Sequence, residues 1–82
     1  MNVQVLTPTG KIFEGQASAV RVPGSAGLFE VLENHAPIVS SLEAGQVRIT
    51  LSDGSRKDLA IQGGFVEVLR NEVALLVTLA AN

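Results

Sequence analysis

Eighty-two residues make one domain (1–82), and a domain of that size hides only about 60% of the surface that its unfolded chain exposes. The absence of Cys and the single His argue against a disulfide framework, a thiolate centre or an all-protein zinc site. A formal net charge of −2 and 4% aromatic residues leave neither a basic stripe for phosphates nor a stacking platform for bases, so nucleic acid is not the expected partner. Hydrophobic residues reach 46%, nearly all aliphatic, a surplus for so short a chain that points to apolar surface buried against a partner. No run approaches the ~18–20 apolar residues of a membrane span. Met1-Asn2-Val3-Gln4-Val5 has neither the charged nor the apolar region of a signal peptide, so the chain reads as cytosolic.

In chain order, Val3 and Val5 alternate with polar residues as in a half-buried strand. Thr7-Pro8-Thr9-Gly10 is a turn. Lys11-Ile12-Phe13-Glu14 is a short strand stopped by Gly15, and residues 17–22 form another, broken by Pro23-Gly24. Residues 28–32 are extended and apolar, with alternate positions in the core and the rest free for a partner. His35-Ala36-Pro37 follows; residues 33–42 have room for one helical turn at most. Val47, Ile49 and Leu51 alternate with polar residues up to Asp53-Gly54, whose glycine supplies the φ > 0 of a hairpin that returns through Leu59 and Ile61. Gly63-Gly64 inside the next strand indicates a bulge or a close backbone approach. Arg70-Asn71-Glu72 turns into residues 73–79, apolar enough to suggest burial on both faces. Eight to ten short strands with frequent turns predict an all-β sandwich without substantial helix.

The stretch 24–37 breaks this regularity and concentrates candidate chemistry. It holds the lone His35 and the carboxylates Glu30 and Glu33. A general base needs a partner, and Ser40 and Ser41 lack a nucleophile elbow, so His35 reads as a turn or contact residue. A sugar-cleaving carboxylate pair needs a cleft that a small, aromatic-poor domain does not offer. Gly24-x-x-Gly27 lacks the helices of an RNA-clamping loop, and Gly63-Gly64 lacks the Lys-Ser or Lys-Thr of a phosphate loop.

The order Gly-Ser-x-Gly, apolar stretch, His35-Ala36-Pro37, Leu42-x-x-Gly45, then Gly63-Gly64-Phe65-Val66-Glu67-Val68 and Asn71-x-Val73-x-Leu75-x-Val77 resembles the N-terminal β-domain of the epsilon-subunit family of bacterial F-type ATP synthases. The resemblance spans essentially the whole chain. It implies a two-sheet sandwich of about ten strands. It also implies a non-catalytic, cofactor-free subunit of the central stalk, monomeric on its own. Such a subunit lies peripherally on the cytoplasmic face of the inner membrane, without inserting, and binds the gamma subunit and the c-ring, helping couple proton flow to ATP synthesis. Gly27, Leu28, Phe29 and Glu30 match the c-ring contact; Thr7, His35 and Ser40 match positions facing gamma. The family usually continues into a helical hairpin, whereas this sequence ends at Asn82, as expected either of a naturally short member or of a piece of a longer chain, so the hairpin's inhibition and nucleotide binding are not carried over. Two local departures stand out. Residues 27–31 read Gly-Leu-Phe-Glu-Val where the family often has Gly-Glu-Leu-Gly-Ile, so Glu30 occupies a glycine position. Glu33-Asn34 replaces Pro-Gly, and Asn34 can take the left-handed conformation in its place. A rival from another class is a lipoyl- or biotinyl-carrier domain, for which Lys57 near the Asp53-Gly54 turn would be the modified residue.

Overall fold

Alternation of valine with polar side chains along most of the chain gives seven strands in the computed structural model, which describes residues 1–81. They are β1 (Asn2–Thr7), β2 (Gly10–Gly24), β3 (Gly27–Leu32), β4 (Ile38–Leu42), β5 (Gly45–Leu51), β6 (Arg56–Leu69) and β7 (Glu72–Leu79). The hydrogen-bonded path is continuous, one sheet folded over on itself. β2 and β6 make the fold. Residues 10–16 of β2 pair with β1, and residues 17–24 pair with β5 and β3. Residues 56–61 of β6 pair with β5, and the remainder pairs with β4 and β7. One layer therefore runs β2–β1–β7–β6–β4 and the other β3–β2–β5–β6. All pairings are antiparallel except β1 with β7.

The register slips at Ala17/Ala19 in β2 and at Ile61/Gly63 in β6, where each strand leaves one layer for the other. An extra residue at these points bends and twists the strand, which turns the corner without a loop. The eight to ten short strands expected from the sequence thus become seven. Gly15 does not stop a strand as expected; it lies inside β2 opposite Val3, with the Phe13 ring beside it. Gly64 shows both features read from the glycine pair, a bulge next to it and a close approach. A Cβ there would strike the Leu76 carbonyl oxygen and sit 2.8 Å from Val77 Cα, at φ 148°.

The buried core is aliphatic apart from Met1, with Phe13 and Phe29 packed against it. Val3, Val5, Val66, Val73, Leu75 and Val77 point inward from the five-stranded layer. Val20, Val22, Val31, Val47, Ile49 and Ile61 meet them from the other, and no described polar or charged side chain is buried. Each buried Val or Leu contributes about 1.5–3 kcal/mol. β7 is not buried on both faces: Val73, Leu75 and Val77 are inside, whereas Leu76 and Leu79 are exposed. The outer side of this layer has no second sheet to cover it. Residues 33–37 form a turn and irregular chain, not a helical turn, before β4. Leu51 and Arg56 are joined by a four-residue loop in which Asp53 Oδ1 accepts from Ser55 N (2.8 Å) and Ser55 Oγ (2.6 Å), with Gly54 at φ 90°. The β6–β7 connection is tighter. Arg70 (φ 51°) and Asn71 (φ 62°) are its two central residues, the I′ geometry that follows strand twist.

Gly64→Ala should destabilise the domain by more than about 3 kcal/mol, because backbone must move, whereas Gly54→Ala, with open space around it, should cost about 1 kcal/mol. Urea unfolding of both variants checks this, and equal losses would contradict the close-approach constraint.

Candidate functional site

The β2–β3 hairpin closes through Ser25-Ala26, flanked by the paired Gly24 and Gly27. A Cβ on Gly24 would lie 2.7 Å from the Phe29 ring, so that ring fills the space the glycine leaves. Strand alternation then sorts the stretch: Phe29 and Val31 pack inward, and Leu28, Glu30 and Leu32 face out. Of the four expected tip residues, Gly27, Leu28 and Glu30 are exposed, Leu28 to 70%, while Phe29 is packed against the core. Glu30 has no positive φ, so replacing a family glycine causes no backbone strain there. The hairpin base is tied to the rest: Ser25 N donates to Ser41 O (3.0 Å), Ser41 Oγ to Ser25 Oγ (2.8 Å) and Glu43 N to Pro23 O (2.8 Å).

Beyond β3, Asn34 adopts φ 63°, as its substitution for glycine requires. Its N–H donates to Asn71 Oδ1 (2.7 Å), and Asn71 Nδ2 donates back to Asn34 Oδ1 (3.0 Å). This pair fastens the β3–β4 connection to the β6–β7 turn. The Met1 amino group donates to Ala17 O (3.1 Å) and Glu33 Oε1 (3.4 Å) at the same end. His35 follows, with its N–H on Leu32 O (3.1 Å) and Nδ1 2.7 Å from Ala36 O. Its ring has no described acidic or hydroxyl partner, so it lacks the second half of an acid–base mechanism. Thr7 lies at the opposite end of the layer, where its Oγ1 approaches Thr9 Oγ1 (3.0 Å) and Gly10 O (3.2 Å). Ser40 sits half-buried on the edge strand β4, its Oγ on Ser41 O (3.2 Å). Thr7, His35 and Ser40 are therefore not a cluster; they stand at two ends and one edge of the five-stranded layer. No three described His, Asp or Glu residues converge to hold a metal ion.

Between those positions runs a feature that the sequence reading did not find. Leu6, Leu76, Phe65 and Ser41 are consecutive cross-strand partners on the outside of the five-stranded layer. Phe65 is 55% exposed, and Val39 (69%) and Leu69 (50%) continue the apolar surface. A shallow groove of about 360 Å³ lies along Leu6, Pro8, Phe65 and Leu76. Its sequence signal is the unbroken apolar run Val73-Ala74-Leu75-Leu76-Val77 in β7, a pattern that equally suggests two-sided burial. Lys57 is not at a hairpin tip; its Nζ lies 5.6 Å from the centroid of the Phe13 ring.

A family model described as the beta-sandwich domain of the ATP synthase delta/epsilon chain matches residues 1–82. The chain belongs to this family. Relatives agree. The ATP synthase epsilon chain of Chlorobaculum tepidum is 43% identical over 74 residues, covering 90% of this chain and 84% of that one. That of Chlorobium limicola is 40% identical over the same shares. That of Leptospira borgpetersenii is 38% identical over 76 residues, but only 59% of it is covered. Epsilon chains similar to this one thus differ in how much lies outside the matched β-domain. Among solved structures, chains in the Euglena gracilis mitochondrial ATP synthase (OSCP/F1/c-ring; TM-score 0.88, 21% identity) and the Tetrahymena thermophila ATP synthase (central stalk/c-ring; 0.79, 20%) share the fold. They cover 96% and 95% of this chain, and it spans 51% and 63% of them.

In this epsilon-family domain the left-handed Asn34 is held by its pair of hydrogen bonds with Asn71. Asn34→Ala should lower stability by about 1–2 kcal/mol, from left-handed strain and lost hydrogen bonds. A thermal melt reads it, and an unchanged Tm would contradict the role given to the pair. On the four-stranded layer Arg48 Nε donates to Asp58 Oδ1 (3.0 Å), which raises the guanidinium and lowers the Asp58 carboxyl from their ordinary values. A lowered carboxylate pKa adds stability above the unfolded pKa and loses it as pH falls through the folded one, so the effect belongs to the acid range below about pH 4. The Asp58 carboxyl carbon, followed by NMR, should titrate below ~3.9 and return toward it in Arg48→Gln; coincident titrations would show that the ion pair is not kept in solution.

Proposed function

We propose that this chain is a non-catalytic rotor subunit of an F-type ATP synthase, docked between the gamma subunit and the c-ring. The match to the delta/epsilon family along the whole chain carries this reading. Its structural neighbours, which come from ATP synthase assemblies containing the c-ring and, in one case, the central stalk, support it. On this reading the gamma subunit covers the outside of the five-stranded layer. Its apolar ladder Leu6–Leu76–Phe65 is bordered by Thr7 at one end, His35 at the other and Ser40 at the edge. The c-ring loops meet the exposed residues Gly27, Leu28 and Glu30, with Phe29 beneath them as a rigid support. The subunit rotates with both neighbours, peripherally on the cytoplasmic face of the membrane. It transmits torque and helps couple proton translocation to ATP synthesis, making and breaking no bond itself. A close-packed aliphatic core suits this task because it deforms little under load. The carrier alternative loses its basis, since Lys57 is in β6 over an aromatic ring and not at an exposed tip.

Mixed with purified gamma subunit at micromolar concentration, the protein should co-elute with it in gel filtration; separate elution overturns the reading. Phe65→Asp should weaken co-elution at least tenfold, since it places a charge in the contact. Glu30→Lys should leave gamma binding intact but weaken assembly with the c-ring more than it lowers the melting temperature. Full assembly of Glu30→Lys would remove the hairpin from the contact.

A further inference from the structure

The outside of the four-stranded layer carries a row of charges in register. Glu30 is the cross-strand partner of Arg21, Arg21 of Arg48, and Arg48 of Asp58. Directly opposed residues on one face have Cβ atoms about 4.5–5.5 Å apart, and like charges there repel. Arg48 is held by Asp58, through Nε (3.0 Å) and Nη2 (3.5 Å). Among the described residues Arg21 makes no ion pair, although Glu30 is next to it. A domain this size gains nothing by itself from setting two guanidinium groups side by side with one of them unpartnered. Beside them is a depression of about 780 Å³ bounded by Arg21, Arg48 with its partner Asp58, Pro23, Leu28 and the chain around Gly45, where the most exposed leucine among the described residues forms an apolar ledge.

We infer that this depression is a docking site for a protein carboxylate: one Asp or Glu side chain seated between Arg21 and Arg48, with an adjacent apolar side chain on Leu28 and Pro23. Three observations select this occupant. The Arg21 guanidinium fork, unlike that of Arg48, which Asp58 already engages, is free to meet a carboxylate two-on-two. The row as a whole is neutral, two arginines flanked by two carboxylates, which accepts a single negative charge but opposes a polyphosphate. The apolar ledge calls for a neighbour that a free anion does not have. Charge on the two faces is also unequal: Arg21, Arg48 and Arg56 stand against Glu30 and Asp58 on the four-stranded layer, while Glu14, Glu67 and Glu72 stand against Lys11 on the other. The inference holds whichever assembly the chain serves, and it adds to the hairpin tip a specific requirement for acidity in whatever sits against it.

The test uses the folded protein and the blocked tripeptides acetyl-Ala-Glu-Leu-amide and acetyl-Ala-Gln-Leu-amide, followed by NMR at the arginine Nε–H and leucine methyl resonances. The Glu peptide should shift Arg21, Arg48 and Leu28 together with a dissociation constant of about 1–10 mM, the range for one ion pair and one ledge. Arg21→Gln should weaken it at least fivefold and Arg21→Lys less, because lysine keeps the charge but not the fork. Equal shifts with the Gln peptide, or none by ~10 mM, overturn the inference. Tighter binding of inorganic phosphate at the same resonances overturns the choice of a protein carboxylate. Concentration-dependent shifts of the protein alone, one copy's acidic face on another's arginines, overturn the choice of a separate partner. Tm supplies an independent reading. A docking role predicts that Arg21→Gln leaves it unchanged or raised, whereas a clear fall would make Arg21 a structural partner of Glu30.

Discussion

Everything in this fold depends on two strands that belong to both layers. β2 and β6 carry the hydrogen-bond ladder around the corners of the sandwich, so neither layer can shift without breaking paired backbone in the other. The corners form at bulges, and next to the one in β6 the chain passes so near β7 that only glycine fits at position 64. With the layers fixed in this way, a core of valine, isoleucine and leucine is enough to hold them. No disulfide and, among the described residues, no buried charged side chain take part. The same geometry fixes what is left outside. Each strand has one face in the core, so every apolar residue of opposite parity is delivered to the surface in register with its neighbours.

That last consequence explains which parts of the molecule were legible in the sequence. The Asp53-Gly54 hairpin, the Gly63-Gly64 irregularity and the left-handed Asn34 each follow from a local backbone requirement that one or two residues announce. The alternation of residues 28–32 is local as well, but alternation alone does not say which parity faces out, and Phe29, expected at the tip, packs against the core. The strand count was not local, because a bulged corner has no loop residues to mark it. Nor was the exposure of Leu76 and Phe65. An uninterrupted apolar run reads as two-sided burial, and only the long-range pairing of β7 with β1 and β6 shows that no second sheet covers it. The Arg21–Arg48 pairing depends on register between strands 27 residues apart and has no sequence signal at all.

The surface then divides into areas with different chemistry. The five-stranded layer presents an apolar ladder wide enough for a flat partner, bordered by polar residues at its ends. The β2–β3 hairpin projects a small apolar and acidic tip from a base tied to β4. The four-stranded layer presents paired arginines beside that tip. None of these areas brings a nucleophile and a base together. They are exposed areas held at fixed spacing by a core that deforms little, and on the proposed reading they are where the neighbouring subunits sit.

The claim at the centre of this account is membership of the rotor, and composition of a captured complex tests it most directly. The tagged chain, expressed in its own cell and recovered from gently solubilised membranes, should bring down gamma, the catalytic head and the c-ring together, identified by mass spectrometry. Recovery of the chain without gamma, or with a biotinylating or lipoylating enzyme instead, would contradict it.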